Sequence, residues 1–254
     1  MTTVLVTGAT GKVAQLLRPA LDDLSVRAVD IKHVTGWDGA QTAVGDLADP
    51  AFTAAAVEGV DDVVHLAADP RPAAPWRDLR GPNADAVVNL LEASAEAGVR
   101  RVVLASSVHA MGGYVRHGGP MVDPSWPARP CCPYGASKAF AEAYGATIAD
   151  GGGPAVICLR LGGCQPEPTD LGTTLGWLAP GDLQQLVSAA LATDVRYGTY
   201  FGVSANTRGI FDYTNATDEL GYRPRFDAEA YAPGLPEGDG GLCRLAAASA
   251  GRSV

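Results

Sequence analysis

The segment Val4-Leu5-Val6-Thr7-Gly8-Ala9-Thr10-Gly11-Lys12-Val13-Ala14 constrains the fold of this chain more than any other. Its apolar, β-branched run reads as a buried strand. Gly8 permits a tight turn out of that strand, and Gly11 permits close backbone approach to an anion. The small Ala14 lets the following helix lie against the sheet, so its free N–H groups and dipole face a phosphate. A second short strand, Val26-Arg27-Ala28-Val29-Asp30, ends in an acid. At that spacing a carboxylate accepts hydrogen bonds from an adenosine ribose diol and repels a 2′-phosphate. The expected ligand is NAD rather than NADP, held at Gly8, Thr10, Gly11, Lys12, Val13 and Asp30.

Strand-like and helix-like runs then alternate. A helix is expected over residues 13–21, and residues 32–41 read as loop. Asp49 and Pro50 are a good N-cap and first residue for a short helix reaching about Glu58. A third buried strand, Asp62 to Ala68, runs into a proline-rich loop at its carboxyl end, where parallel sheets bind ligands. A long helix over residues 77–97 is interrupted at Gly81-Pro82 and closed by Gly98. Arg101 to Ala105 is a strand that delivers Ser106 and Ser107 to the same edge. A glycine- and proline-rich excursion, 111–133, precedes a helix from Tyr134 to about Ile148. Strands follow at 155–160 and 198–203, with a helix at 184–192.

This alternation predicts an α/β fold: a doubly wound, mostly parallel sheet of seven strands with helices on both faces. The chain reads as a single domain. Its NAD-binding core covers about 1–160 plus 198–203, and segments 162–195 and 204–232 form a small C-terminal substrate lobe. The tail, 233–254, opens with an aperiodic Pro/Gly stretch, 233–241, expected to pack loosely.

Of the 254 residues, 47% are apolar, but no uninterrupted apolar run approaches the length of a membrane span. No basic leader precedes the first strand, so a cytoplasmic protein is expected. The formal net charge of −9 argues against nucleic acid or an anionic membrane as partner. An anionic cofactor must then be held by local dipoles. The five cysteines, Cys131, Cys132, Cys158, Cys164 and Cys243, form neither a CxxC pair nor a disulfide framework, and read as reduced thiols with no metal site.

The chemistry falls on Ser107, Tyr134 and Lys138. Tyr134 and Lys138 are four apart and share one helix face just after Pro133. An ammonium beside a phenol favours the phenolate, as does an oxidised nicotinamide, so Tyr134 is suited to act as a base. Lys138 can also reach the nicotinamide ribose. Ser107 would hold the oxygen at the reacting carbon while Tyr134 takes its proton and hydride leaves for the nicotinamide.

Thr7-Gly8-x-x-Gly11-x-x-Ala14, Asp46-Leu47, His65-Leu66-Ala67-Ala68, Asn83, Ser106-Ser107 and Tyr134-Gly135-x-Ser137-Lys138 resemble the extended short-chain dehydrogenase/reductases, a Rossmann-fold superfamily, over almost the whole chain to about Tyr231. Within it, Ser106-Ser107-Val108-His109, Pro127-x-Arg129-Pro130, the run Leu159 to Pro168 and Ser204-Ala205-Asn206 are similar to uronate dehydrogenases, which oxidise the anomeric carbon of a hexuronate with NAD. The resemblance implies that Asp30, Asp46 and Leu47 surround the adenosine, with Leu66, Ala67 and Ala68 beside the cofactor. It also implies that Asn83 assists the proton relay and that His109 and Gly163 lie near the substrate. The sequence departs from that pattern at Val108, Gly163 and Gly172, where uronate dehydrogenases carry an asparagine, a serine and a carboxylate-binding arginine.

A carboxylate suits an arginine fork. Arg71, in the loop after the third strand, is therefore the expected substitute for the arginine missing at Gly172 if the substrate is acidic. Two other readings share these residues: a nucleotide-sugar epimerase or dehydratase that recycles its NAD, and a non-catalytic NAD-binding protein. Net NADH production separates the dehydrogenase from both. A homo-oligomer is a further expectation.

Overall fold

The structure is a computed structural model that describes residues 2–116 and 118–243. Its strands are β1 (Thr3–Thr7), β2 (Ser25–Asp30), β3 (Gln41–Val44), β4 (Asp62–His65), β5 (Arg101–Ser107), β6 (Ala155–Leu161), β7 (Gly163–Cys164), β8 (Trp177–Leu178) and β9 (Tyr197–Gly202). The helices are α1 (Lys12–Leu17), α2 (Pro50–Val57), α3 (Trp76–Arg80), α4 (Ala86–Glu96), α5 (Pro133–Asp150), α6 (Pro180–Ala192) and α7 (Thr214–Leu220). Seven strands make one sheet in the order β3-β2-β1-β4-β5-β6-β9, every pair parallel, while β7 and β8 pair with each other. The doubly wound fold expected from the alternation is therefore present.

Successive side chains of a strand face opposite sides of a sheet. Val4 and Val6 accordingly join one core with Leu17, Leu183, Leu186 and Val187, beneath α1 and α6. Leu5 joins the other with Val57, Leu90 and Leu91, beneath α2 and α4. Burial on both faces is why these strands read as continuous apolar runs. The chain runs from β1 outward through β2 to β3 and then crosses to β4 on the other side of β1, which opens a crevice at the carboxyl ends of β1 and β4.

Several local expectations need correction. Residues 41–44 are strand β3 rather than the end of a loop; they lie at the sheet edge and are mostly exposed, so no buried period marks them. The helix expected over 77–97 is α3 and α4 joined by a π-helical turn, Gly81–Asp85. Pro82 lacks an N–H and cannot continue an α-helical ladder, and the wider turn accommodates that loss. Gly98, at φ +71°, closes α4. The stretch 233–241 has no buried residue, in keeping with a loosely packed connection, but it is tied to another loop. Leu171 N donates to Pro236 O at 2.9 Å and Gly240 N donates to Asp170 Oδ1 at 3.1 Å. Just beyond it, Leu242 is buried among Val108, Met111 and Phe211. A strap that satisfies its backbone groups on another loop has no period to read. The remainder of the expected tail, 244–254, lies outside the described residues.

Candidate active site

Thr7, at the end of β1, ties the glycine turn to β4. Its Oγ1 accepts from Leu66 N and Ala67 N, both at 3.2 Å, and shares a hydrogen bond with His65 Nδ1 at 2.8 Å. Burial pushes His65 down to about 3, aided by the charge on Lys138. Gly8 follows at φ +66°, and a Cβ built there would lie 2.7 Å from Ala67 N, so only glycine fits. Thr10 N and Thr10 Oγ1 both donate to Asp30 Oδ2 at 2.9 Å, and Lys32 N donates to Oδ1 at 3.0 Å.

These residues border a cleft of about 350 Å³ lined by Gly8, Thr10, Gly11, Asp30, Asp46, Leu47, Leu66, Ala67 and Ala68. Lys12 and Val13 open α1 rather than line it. A floor without a side chain at Gly8 and a carboxylate fixed at the rim fit the pyrophosphate and ribose of NAD.

A second group stands at the carboxyl end of β5. Ser107 Oγ accepts from His109 N at 3.2 Å and caps a short 3-10 turn, Val108–Ala110. Pro133 begins α5, and Gly135 lets that helix close on the turn: a Cβ there would lie 2.3 Å from His109 O. Tyr134 and Lys138 project from this first stretch of α5. Lys138 Nζ is buried, donates to Ala105 O at 2.8 Å, and sits 5.7 Å from the Tyr134 ring centroid. Burial lowers Lys138 to about 8. Burial raises Tyr134 to about 12, against the opposing effect of a hydrogen bond with Ser107. In the protein alone the phenol therefore keeps its proton, and the neighbouring ammonium does not suffice to remove it.

Asn83, in the π-helical turn, is fully bonded. Its Nδ2 donates to Asp69 O at 3.0 Å and Ser137 Oγ at 3.1 Å, and its Oδ1 accepts from Asp69 N at 2.7 Å. It braces the loop after β4 against α5, and none of its hydrogen bonds goes to Tyr134 or Lys138. Behind the site, Arg160 makes a buried two-point ion pair with Glu142, both bonds at 2.9 Å, and Ser106 Oγ donates to the same carboxylate at 2.5 Å. No motif in the sequence marks this pair; only its position in two apolar-flanked elements could have drawn attention to it.

Ser107, His109, Tyr134 and Gly163 meet at a chamber of about 170 Å³, with Val108, Gly172, Thr173, Gly240 and Leu242 in its wall. Arg71 is not among them. Its side chain is 65% exposed and forks onto Asp69, with Nε to Oδ1 at 2.9 Å and Nη2 to Oδ2 at 2.5 Å. That hydrogen bonding holds the Asp69 carboxyl below its ordinary value. At Gly172 a Cβ would lie 2.3 Å from Asp239 C and 2.4 Å from Gly240 N, so tail backbone fills the space a side chain would need.

The cysteines do not stay scattered. Cys131, Cys132 and Cys243 place their Sγ atoms 3.4, 3.5 and 3.5 Å from His109 Nδ1. Cys132 is the N-cap of α5, and its Sγ accepts from Gly135 N at 3.4 Å. Hydrogen bonds from Cys131 and Cys243 draw the Cys132 thiol far below its ordinary value, and those with Cys132 and Cys243 push Cys131 up. Separation in sequence hid this cluster; the histidine and the third cysteine are 134 residues apart.

The site's two halves, a dinucleotide cleft and a Ser-Tyr-Lys group, have counterparts in known proteins. The model of the NAD dependent epimerase/dehydratase family matches residues 4–163. A uronate dehydrogenase of Pseudomonas putida is 32% identical over 90% of this chain and 85% of its own. An L-arabinose 1-dehydrogenase (NAD(P)+) of Haloferax volcanii is 31% identical over 89% of this chain and 97% of its own. The crystal structure of a uronate dehydrogenase variant from Agrobacterium tumefaciens complexed with NAD superposes with a TM-score of 0.84 at 30% identity, covering 91% of this chain and 87% of the other. The chain thus belongs to the NAD dependent epimerase/dehydratase family, as an NAD-dependent oxidoreductase of the short-chain dehydrogenase type.

Proposed function

We propose that this enzyme oxidises a hydroxyl-bearing carbon of a small, uncharged sugar or related hydroxy compound. The observation that carries this is the chamber wall. Among the described residues it holds no arginine or lysine, and tail backbone occupies the space beside Gly172. A buried carboxylate would find no arginine or lysine to pair with there, and His109, the imidazole in the wall, has its Nδ1 turned to three cysteine sulfurs. Among the relatives, L-arabinose 1-dehydrogenase is named for a neutral sugar, whereas the uronate and glucose-6-phosphate dehydrogenases are named for anionic ones.

In this scheme Gly8, Thr10 and Gly11 cradle the pyrophosphate, while Asp30, Asp46 and Leu47 hold the adenosine. Bound NAD+ supplies the hydride acceptor and a positive charge beside the phenol. Ser107 positions the substrate oxygen. Tyr134 takes the hydroxyl proton, and Lys138, protonated below about pH 8, favours the phenolate that does so. Asn83 keeps the loop after β4 docked on α5, and His109 shapes the substrate side of the chamber.

Matched pairs of aldose and hexuronate test the reading through initial rates of NADH formation. A higher kcat/KM for each neutral sugar is expected, and a consistent preference for the hexuronates would overturn it. Accumulating NADH also separates this reaction from epimerisation, which returns its hydride to the substrate. The proposal includes one folding domain, a cytoplasmic setting and a homo-oligomer. No described helix is long and apolar enough to cross a membrane. Phe140, stacked on Tyr144 at 5.9 Å, exposes an apolar face of α5 suited to a second copy.

A further inference from the structure

The tail reaches the catalytic loop through sulfur. His109 closes β5's following turn, Cys131 and Cys132 precede α5, and Cys243 arrives from the opposite end of the chain. One atom from each, Nδ1 and three Sγ, lies within 4.8 Å of all the others. We propose that these four residues bind a single zinc ion, a closed Cys3His site that fastens the tail against the catalytic loop.

Three observations support the assignment. The first is geometric. With Zn–S near 2.3 Å and Zn–N near 2.0–2.1 Å, a tetrahedron has S···N edges of about 3.5 Å and S···S edges of about 3.8 Å. The three S···N separations here are 3.4, 3.5 and 3.5 Å, and Cys131 Sγ lies 4.0 Å from Cys132 Sγ. Hydrogen bonding alone does not call for this shape, since one imidazole nitrogen makes one such bond, not three.

The second is the chemistry of the donors. Three thiolates and an imidazole are soft and borderline ligands that select zinc over magnesium or calcium, and Cys3His is a common set for structural zinc. The third is the surroundings. Cys132 Sγ sits at the N-terminus of the 18-residue α5 and accepts the Gly135 N–H, so a thiolate there meets both the helix dipole and a backbone donor.

Four protein ligands leave no open position, which makes the ion a fastener and not a Lewis acid for the reaction. What it fastens is the chamber wall, because Gly240 and Leu242 lie just before Cys243 in the tail. Binding converts up to three thiols to thiolates and releases their protons, so affinity should rise with pH.

The test uses the untagged, full-length protein purified anaerobically with a reductant. Metal analysis is expected to find about one zinc per chain. Anaerobic titration of the metal-free protein with Co2+ is expected to give a sulfur-to-cobalt charge-transfer band together with the d–d bands of a tetrahedral ion. Cys131→Ser and Cys243→Ser should each weaken zinc binding by at least about tenfold, the lower end for disturbing a metal site. Cys164→Ser, which removes a thiol outside the cluster, should leave the spectrum unchanged. If a cluster variant fails to fold, the wild-type protein still answers, because a mercurial thiol reagent should release its zinc in step with modification of three thiols. The proposal is overturned if neither zinc nor a charge-transfer band is found, or if the band survives intact in Cys243→Ser. It also fails if the anaerobically purified protein carries a disulfide from Cys243 to Cys131 or Cys132. None of these metal readouts depends on which sugar is oxidised.

Discussion

Gly172 and Gly240 pack backbone against backbone: a Cβ on Gly172 would lie 2.4 Å from Gly240 N. Tail backbone therefore fills the space that any side chain at position 172 would need, the expected substrate-binding arginine included.

Gly172→Ala should accordingly displace the tail. Overpacking of this kind costs about 1–3 kcal/mol, measurable by urea denaturation. KM for the sugar should rise while Kd for NAD holds, since the cofactor cleft is lined by other residues. A variant with unchanged stability and unchanged KM would show that the tail does not form the chamber wall in solution.

Tyr134→Phe should lower kcat by roughly two to four powers of ten, the scale of a lost general base, with NAD affinity nearly intact. At saturating NAD, kcat/KM of the wild-type enzyme should climb with pH below about 8, where Lys138 keeps its proton, because the phenol must lose its own to act. The climb should vanish in the Phe variant. Wild-type turnover by that variant would remove Tyr134 from the reaction.

Asp30→Ala should narrow the preference for NAD over NADP. Hydrogen bonds to a charged group contribute about 1.5–3 kcal/mol, so NAD affinity should fall by roughly tenfold to a hundredfold. The Thr10 contacts to Asp30 also disappear, so calorimetric titration with both cofactors should show loss for NAD and gain or no change for NADP.

Arg160→Met leaves Glu142 buried without its partner, and breaking such a pair costs about 3–5 kcal/mol. Replacing both residues, Glu142→Leu with Arg160→Met, should recover much of that loss. Chemical denaturation of the two single variants and the double variant provides the cycle; additive losses would mean the pair is not coupled.

His65 sets an acid limit. Its folded value, about 3, lies below the ordinary 6.5, so between these values the unfolded chain binds a proton the folded one does not. Stability should then fall as pH drops from about 6.5 toward 3, by at most about 1.4 kcal/mol per pH unit from this group. His65→Gln should lose less stability than the wild type between pH 7 and pH 5 in urea unfolding. Equal losses would assign the acid limit to other groups.

Much of the fold was legible because the central strands are buried on both faces. The runs at Val4, Val63, Val102 and Val156 are apolar regardless of period, and turn residues bound them. β3 is not legible in this way because its four edge residues carry no such burden. The places of Gly8, Asp30, Ser107, Tyr134 and Lys138 in the fold are legible in the sequence, since each sits at a strand end or helix start that local sequence dictates. Arg71 could not, because an exposed side chain takes the nearest carboxylate, and Asp69 stands two residues away. The tail and the sulfur cluster were invisible for another reason. Both are made by residues that meet only after the sheet has brought distant loops to one edge.

That late meeting also orders the protein's own making. Every residue lining the dinucleotide cleft has been joined to the chain once Ala86 is added, but the substrate chamber lacks a wall until Leu242 follows, 156 residues later. Domains form from the N-terminal end during synthesis. A nascent chain can thus assemble the lining of its nucleotide cleft well before it can enclose a sugar, and competence for turnover arrives only with the closing residues of the tail.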